Sequence, residues 1–427
     1  MCALAFVASR ASAQQRTDTT RSGPAVDTLR LTRARAIATS LLANPLLEIA
    51  SEQTRQVRAQ RVTAVAIPDP VLMASLDGQP AFLRLGSATA RNVNLGLMVP
   101  FPDKFRLRNA IGTANIQASE SQFRLVQQLV AAQAARAYDS VLVSRLHRRD
   151  LTDARQLAAD FLIKTQARFN AGTVARLDVI KAQVAVAQAD NDLIANARFV
   201  ANTEAALNRV LGRPLGLPIV PLDSLEATDT LPELDAVLRA AFRARPELAS
   251  IAAQQRAARA NRALVAEQAF VPDFSLSANR DFAQDLGTLY SAGLSMPLAL
   301  FFWQHPRGDF AEARHRELEL AASYRDIAAG VGQDVRAAHA TADAAQRQVI
   351  FIRDQLLPSA REAYRVATVS YGLGGLSALD VLDARRTLVD AQRQYADALA
   401  AASSARSDLE RAAGAPFPSF APGVPRE

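Results

Sequence analysis

Residues 168–182 read RFNAGTVARLDVIKA, and residues 370–384 read SYGLGGLSALDVLDA. A constant offset of 202 aligns the two stretches without a gap, pairing Phe169 with Tyr371, Gly172 with Gly374, Leu177 with Leu379 and Asp178 with Asp380. The same offset carries on to Leu207 with Leu409, Arg209 with Arg411 and Gly212 with Gly414. A chain that repeats itself over such a length folds as two copies of one unit. This overrides the two or three unrelated domains that 427 residues would otherwise allow. The expected organisation is repeat 1 over 31–211, a Pro/Gly-rich linker over 212–231, repeat 2 over 232–414 and an irregular tail over 415–427.

Each copy has the same internal order. Repeat 1 predicts a short helix near Leu31–Leu42, a stop at Asn44-Pro45, and a longer helix over Leu46–Ala66 that ends before Pro68-Asp69-Pro70. Repeat 2 predicts a helix near Glu233–Arg243, Pro246 in the place of Pro45, and a helix to about Phe270 before Pro272-Asp273. Strand-like sequence follows each stop. In Arg91–Val99, residues Val93, Leu95, Leu97 and Val99 share one face, and Asn92, Asn94 and Gly96 share the other. Val71–Leu76, FSLSAN from Phe274 and YSAGLSM from Tyr290 complete four strands in two hairpins, with loops at 77–90 and 283–287. Strand two closes on Pro100 and strand four on Pro297.

Long helical runs come next, at about Lys104–Arg168 and Phe310–Val369, with Pro358 expected to bend or break the second. At 1.5 Å per residue each is a rod of roughly 100 Å. Each rod ends in the repeated Gly-containing motif and is followed by a return helix, Leu177–Leu211 or Leu379–Ala413. The return helices carry heptads: Leu388, Tyr395, Ala402 and Leu409 with Ala391, Ala398, Ala405 and Ala412; and Val186, Leu193, Val200 and Leu207 with Ala189, Asn196, Thr203 and Val210. Such spacing builds a coiled-coil seam, and the alanines let the axes approach closely.

Composition narrows the function classes. Aromatics are 6% and apolar residues 49%, which suits helices packed through small side chains. The net charge of +7 is nearly all Arg, since Lys104, Lys164 and Lys181 are the only lysines. No Lys/Arg block is interleaved with aromatics, so no nucleic-acid partner is expected. Cys2 is the only cysteine, and Ala3–Ala8 followed by Ala11-Ser12-Ala13 resembles the end of a secretory signal peptide over 1–13, with a polar, disordered segment at 14–30. No run of about 20 apolar residues marks a transmembrane helix. His147, His305, His315 and His339 have no paired ligand spacing, and no catalytic or dinucleotide motif is present, so neither an enzyme nor a cofactor is expected. Phe301, Phe302 and Trp303 follow the last strand as candidates for an interfacial aromatic belt or for plain packing.

Four strands with one apolar face read as membrane strands, but the smallest membrane barrels need about eight. Open edges are not tolerated in hydrocarbon, so several chains must contribute. Three copies supply twelve strands and twelve long helices. The expected fold is therefore mainly α with a small β part: internally duplicated long-helix hairpins in a trimeric tube joined to a shared 12-stranded barrel.

The twin motifs F/Y-x-x-G-x-x-x-x-L-D-V resemble those of the TolC-type outer-membrane efflux channels, over about residues 31–414. The run Ser295-Met-Pro-Leu-Ala-Leu-Phe and LDVLDARRTL from Leu379 look most like the cobalt–zinc–cadmium/copper branch. The resemblance implies a homotrimeric exit duct in the bacterial outer membrane, with a periplasmic helical body. Its implied partners are outer-membrane lipid, a periplasmic adaptor and a proton-driven inner-membrane transporter. It also implies adaptor-docking tips at Phe169, Gly172, Leu177, Gly374, Gly375 and Leu379. Gate acids carry over onto Asp178, Asp380 and Asp383, with Tyr371 at the constriction and Arg176 nearby, while Lys181 stands where repeat 1 would match Asp383. Asp380 and Asp383 lie on one side of a helix; they fit either a cation-attracting pore ring or ordinary helix-start acids. A soluble periplasmic coiled-coil adaptor would explain the heptads but not the amphipathic hairpins. The duct of a protein-secretion system would share the whole pattern.

Overall fold

A computed structural model describes residues 29–77, 90–225, 230–283, 287–297 and 306–414. The expected signal peptide, most of both hairpin loops, the Phe301–Trp303 cluster and the C-terminal tail lie outside the described residues.

Repeat 1 runs β1 (Leu29–Leu31), α1 (Arg33–Ala43), α2 (Pro45–Ala64), β2 (Val71–Asp77), β3 (Ala90–Val99), α3 (Pro102–Asn170) and α4 (Arg176–Val210). Repeat 2 runs β4 (Ile219–Pro221), α5 (Leu234–Ala244), α6 (Pro246–Phe270), β5 (Phe274–Ala283), β6 (Gly287–Ser295), α7 (Pro306–Phe351), a π-helical turn (Ile352–Leu356), α8 (Leu357–Gly372) and α9 (Ala378–Ala413). The element order matches the two-copy reading. The boundaries differ from expectation by a few residues, and α3 reaches 69 residues.

Local chemistry sets the breaks. Asn44 ends α1 and starts α2: its side chain accepts from the Leu46 amide at 2.9 Å, and Pro45 fills the first turn. Its Nδ2 donates to the Val210 carbonyl at 2.9 Å, satisfying an acceptor at the end of α4. Repeat 2 places Arg245 there instead, buried and ion-paired with Glu247 and with Asp334 at 2.6 Å. Pro358 does not break the second rod. Having no N–H, it cannot donate to the Asp354 carbonyl, and the π turn before it absorbs the mismatch.

The return helices pack as their heptads predict. Leu388, Ala391, Ala398, Ala405, Leu409 and Ala412 are buried on α9, as are Ala189, Asn196, Thr203 and Leu207 on α4. Gly212 and Gly414, the equivalent caps, have φ of 68° and 76°. A Cβ on Gly212 would stand 2.6 Å from the Ala43 carbonyl oxygen, and one on Gly414 would stand 3.1 Å from the Ala244 carbonyl carbon. Each return helix therefore ends tight against the end of its own repeat's first helix, where only glycine fits.

Two strands were not expected. β1 and β4 pair in parallel, Leu29 opposite Ile219 and Leu31 opposite Pro221. The segments read as disordered at 14–30 and as linker at 212–231 are thus partly ordered. Their pairing is long-range, and Leu31 and Ile219 are buried with Tyr138, Val141 and Leu207 in one cluster. The Tyr138 hydroxyl donates to the Leu31 carbonyl at 2.9 Å. Nearby, buried Asp139 accepts from Arg33 of α1 and, at 2.6 Å, from Ser403 of α9, tying the two repeats together.

The other four strands form one antiparallel sheet in the order β2-β3-β5-β6. The central pairing joins the repeats, with Val93 opposite Arg280 and Val99 opposite Phe274. Asn94 and Asn279 hydrogen-bond across it, and Asn279 continues to Ser291 on β6 at 3.3 Å. The opposite face is apolar and exposed, including Leu72, Val93, Leu95, Leu276 and Leu294. Both edges, β2 and β6, are left unpaired among the described residues. Among the described residues, no helix is long and apolar enough to cross a membrane.

Candidate functional site

The motif that defines the repeat lies at the two helix tips, where α3 turns into α4 and α8 turns into α9. The turns share a hydrogen-bond pattern. The amides of Gly172 and Thr173 donate to the Phe169 and Arg168 carbonyls at 2.9 and 3.0 Å. Those of Gly374 and Gly375 donate to the Tyr371 and Ser370 carbonyls at 3.1 and 2.9 Å. This is the Schellman arrangement, and it requires a left-handed residue at its centre. Gly172 and Gly374 fill that role with φ of 74° and 85°. A Cβ on Gly172 would meet nothing within 4 Å, so backbone conformation alone selects glycine there. Gly375 has no such need, since its φ is not left-handed and a Cβ would make an ordinary 3.6 Å contact; repeat 1 has Thr173 at that position.

The acids begin the return helices in different ways. Ser377 caps α9 in a capping box: its hydroxyl accepts from the Asp380 amide at 3.3 Å, and the Asp380 carboxylate accepts from the Ser377 amide at 2.9 Å. The Ser377 hydroxyl, then its amide, hold the Asp380 carboxyl below its usual range. α4 begins at Ala175, which offers no side-chain cap. Asp178 lies in its first turn, and its carboxylate has no hydrogen-bond partner among the described residues. The two acids are equivalent in sequence but not in chemistry.

Tyr371 and Arg176 differ in their surroundings. The Tyr371 ring is 4% exposed, tilted against Phe161 at 5.4 Å, and turned into the packing between the two hairpins. The arginine on it is Arg168, whose guanidinium sits 4.5 Å from the ring centroid and donates to the Tyr371 carbonyl. Arg176 is exposed and makes no ion pair among the described residues. Arg168 was missed. The available signal was the repeat itself, since the offset aligns Arg168 with Ser370, a cation in one copy only.

Asp383 is exposed on α9 and lines a groove between α4 and α9, about 780 Å³ in volume, with α3 as its floor. Lys181 lines the opposite wall. The repeat thus places a cation and an acid at equivalent positions facing one groove, rather than two acids. Ile180, Val184, Leu382 and Val389 supply apolar walls. The floor is closed by Arg385, which donates to the Ala154 carbonyl at 3.3 Å. Leu177 and Leu379, equivalent residues near the tips, are 57% and 60% exposed, and Phe169 is exposed beside them. Among the described residues, no three His, Cys, Asp or Glu side chains converge as a metal site.

The sequence matches the outer membrane efflux protein family over residues 36–213 and 237–415. It is 24% identical over 311 residues to the cobalt-zinc-cadmium resistance protein CzcC of Cupriavidus metallidurans, covering 71% of this chain and 73% of that protein. It is 26% identical over 322 residues to the pyoverdine export outer membrane protein OpmQ of Pseudomonas aeruginosa, covering 73% of this chain and 67% of that protein. A crystal structure of CusC superposes with a TM-score of 0.76 at 19% identity, over 93% of this chain and 96% of that one, a likeness of fold. With both repeats matched and the long-helix hairpins and four-stranded sheet in place, the chain belongs to the outer membrane efflux protein family, the TolC-type channels that its twin motifs resemble.

Proposed function

We propose that three copies of this chain close a shared twelve-stranded outer-membrane barrel over a helical tube. The assembly serves as the exit duct of a tripartite efflux pump. The observation that carries this is the four-stranded sheet, apolar on one face, largely polar on the other and, among the described residues, unpaired at both edges. One chain cannot close it, and hydrocarbon does not tolerate its edges. Pairing β2 of one copy with β6 of the next removes every edge and turns the Asn94–Asn279–Ser291 row toward a water-filled lumen.

The duct conducts passively and hands off between an inner-membrane transporter and a periplasmic adaptor. The exposed tips, with Phe169, Leu177 and Leu379 around the turn residues Gly172, Gly374 and Gly375, are the proposed adaptor-docking surface. Asp178, Asp380 and Asp383 are the proposed gate acids, with Tyr371 at the constriction and Arg176 as an exposed cation near them. The repeats over 31–211 and 232–414 are the proposed structural units. CzcC and OpmQ, by their names, serve metal resistance and pyoverdine export, so metal ions and small organic exports are the substrate classes to test first.

The test is assembly. Native mass measurement in detergent should give three chains with the sheet intact. A stable detergent-solubilised monomer that keeps its strands would defeat the reading. Deleting the gene and scoring sensitivity to divalent metals and to organic compounds then assigns the substrate.

A further inference from the structure

We propose that Arg91 and Arg280, with Tyr290 beside them, bind the phosphate of an outer-leaflet lipid on the outside of the sheet. The inference rests on the barrel reading above.

The register puts these three side chains on the apolar face. Val93 stands opposite Arg280, Arg280 opposite Tyr290, and Arg91 opposite Phe282. Side chains alternate along a strand, so Arg91 lies with Val93, Leu95 and Leu97, and Arg280 lies with Leu276 and Phe282. Arg91 and Arg280 are diagonal neighbours on adjacent strands, about 7–8 Å apart at the backbone. The Arg280 guanidinium lies 5.9 Å from the Tyr290 ring centroid. Both arginines are exposed.

Among the described residues, this face carries no carboxylate to neutralise them. The acids of the described strands, Asp77 and Asp281, stand opposite Ala90 and Asn92, in registers that point to the other face. Neither arginine makes an ion pair among the described residues. Two like charges side by side on an apolar surface repel each other and call for an anion. A guanidinium matches a phosphate with paired N–H donors.

Height along the strand selects the leaflet. The helices attach at the Val71, Val99, Phe274 and Ser295 ends, so the hairpin ends point away from the helical body. From Phe274 to Phe282, level with Arg91, is about 26 Å of strand, or about 20 Å of height at a barrel tilt near 40°. The apolar band of such barrels is about 25 Å tall. Arg91 therefore lies near the outer rim and Arg280, six residues from Phe274, about 5 Å beneath it; long arginine stems reach outward from both to headgroup level. A charge lodged at mid-bilayer would be costly; one at the rim is not.

The test uses the purified full-length protein in detergent, followed by native mass spectrometry. Three probes are added separately: diphosphoryl lipid A, the same lipid with both phosphates removed, and inorganic phosphate. Retention of the phosphorylated lipid alone is expected, with at least a tenfold loss in the Arg91→Gln/Arg280→Gln double variant and partial recovery with Lys at both positions. Equal retention of the dephosphorylated lipid overturns the proposal, as does unchanged retention in the double variant. Competition by millimolar inorganic phosphate would make this a free-ion site and also overturn it. Flotation of the protein with vesicles after a carbonate wash separates the two readings. A protein that does not float defeats the barrel itself, whereas one that floats without phosphate preference defeats only this inference.

Discussion

Removing Asp273 should cost far more than removing its partner, and the structure says why. Lys104, at the start of α3, is 2% exposed at its side chain, and its Nζ donates to the Asp273 carboxylate at 2.7 Å and to the Val271 carbonyl at 2.6 Å. Asp273 also accepts from the Phe101 amide at 3.2 Å and is 27% exposed. The pair lies at the foot of the sheet, outside the strands, and fastens the long helix of repeat 1 to the fifth strand. Asp273→Ala strands a buried ammonium on one carbonyl, at about 3 kcal/mol. Lys104→Met keeps the volume, removes the charge, and leaves a carboxylate that water can reach, at about 1–2 kcal/mol. The double variant should cost less than the two singles added, because the stranded charge is gone. Burial works to raise the Asp273 pKa, but the hydrogen bonds from Lys104 and the Phe101 amide, with the Lys104 charge, outweigh it and hold the carboxyl below its ordinary value. A depressed carboxylate stabilises fully above its unfolded pKa of about 4 and loses that contribution as pH falls through the folded one. The pair should therefore be insensitive between pH 7 and 5 and weaken below about pH 4. The assay is urea-driven loss of helical circular dichroism in detergent, across all four sequences and several pH values. A Lys104→Met cost equal to or above that of Asp273→Ala would refute the reasoning, as would additive singles.

Gly212→Ala combines left-handed strain with a 2.6 Å approach to the Ala43 carbonyl and should cost about 2–4 kcal/mol in the same assay, whereas Gly172→Ala meets open space and should cost only about 1 kcal/mol. If the two cost the same, close packing at the cap is not what selects Gly212. Arg168→Ala should loosen the tips by about 1–2 kcal/mol and raise single-channel conductance in a planar bilayer, with Arg168→Lys recovering part of the effect; unchanged conductance would remove Arg168 from the gate. Combined Asp178→Asn and Asp383→Asn should lower cation preference and weaken block by multivalent cations added to the periplasmic side. Unaltered selectivity would return both acids to an ordinary solvated face.

The duplication was legible because it is written twice. The Pro, Asn and Gly stops, together with the heptads of the return helices and the alternation of the strands, located eight helical segments and four strands. The β1–β4 pair was not legible: three-residue strands carry no periodic signal, and Leu29 and Ile219, from opposite repeats, meet only in the folded chain. At the tips the turn glycines could be read directly, because a left-handed cap needs them. The Tyr371 environment could not. A packed aromatic and an exposed one look alike in sequence, and only the placement of Phe161 and Arg168 shows that Tyr371 is packed within its own chain.

The differences between the copies carry as much information as their likeness. Two identical repeats in a trimer would give a tube with six equivalent tips. Here Ala175 stands where Ser377 caps a helix, Arg168 where Ser370 stands, and Lys181 where Asp383 stands. Each change falls within two turns of the tip, while the turn hydrogen bonds themselves are kept. The scaffold of the turn is therefore symmetric, and its charge is not. Per chain, the start of the return helices holds two acids, and the next turn holds one acid and one base across a groove. In the proposed trimer that makes six carboxylates at one level and an alternating ring of three and three at the next. Repulsion opposes closure at the first level, and attraction across the grooves favours it at the second. The second level should weaken with salt, since exposed charges are screened over about 8–10 Å. A tube built this way should open more readily as ionic strength rises, and Lys181→Gln should abolish that salt dependence while leaving the acids of the first level in place. Conductance that ignores salt beyond bulk conductivity, in both the parent and the variant, would show that the charge asymmetry of the tips plays no part in gating.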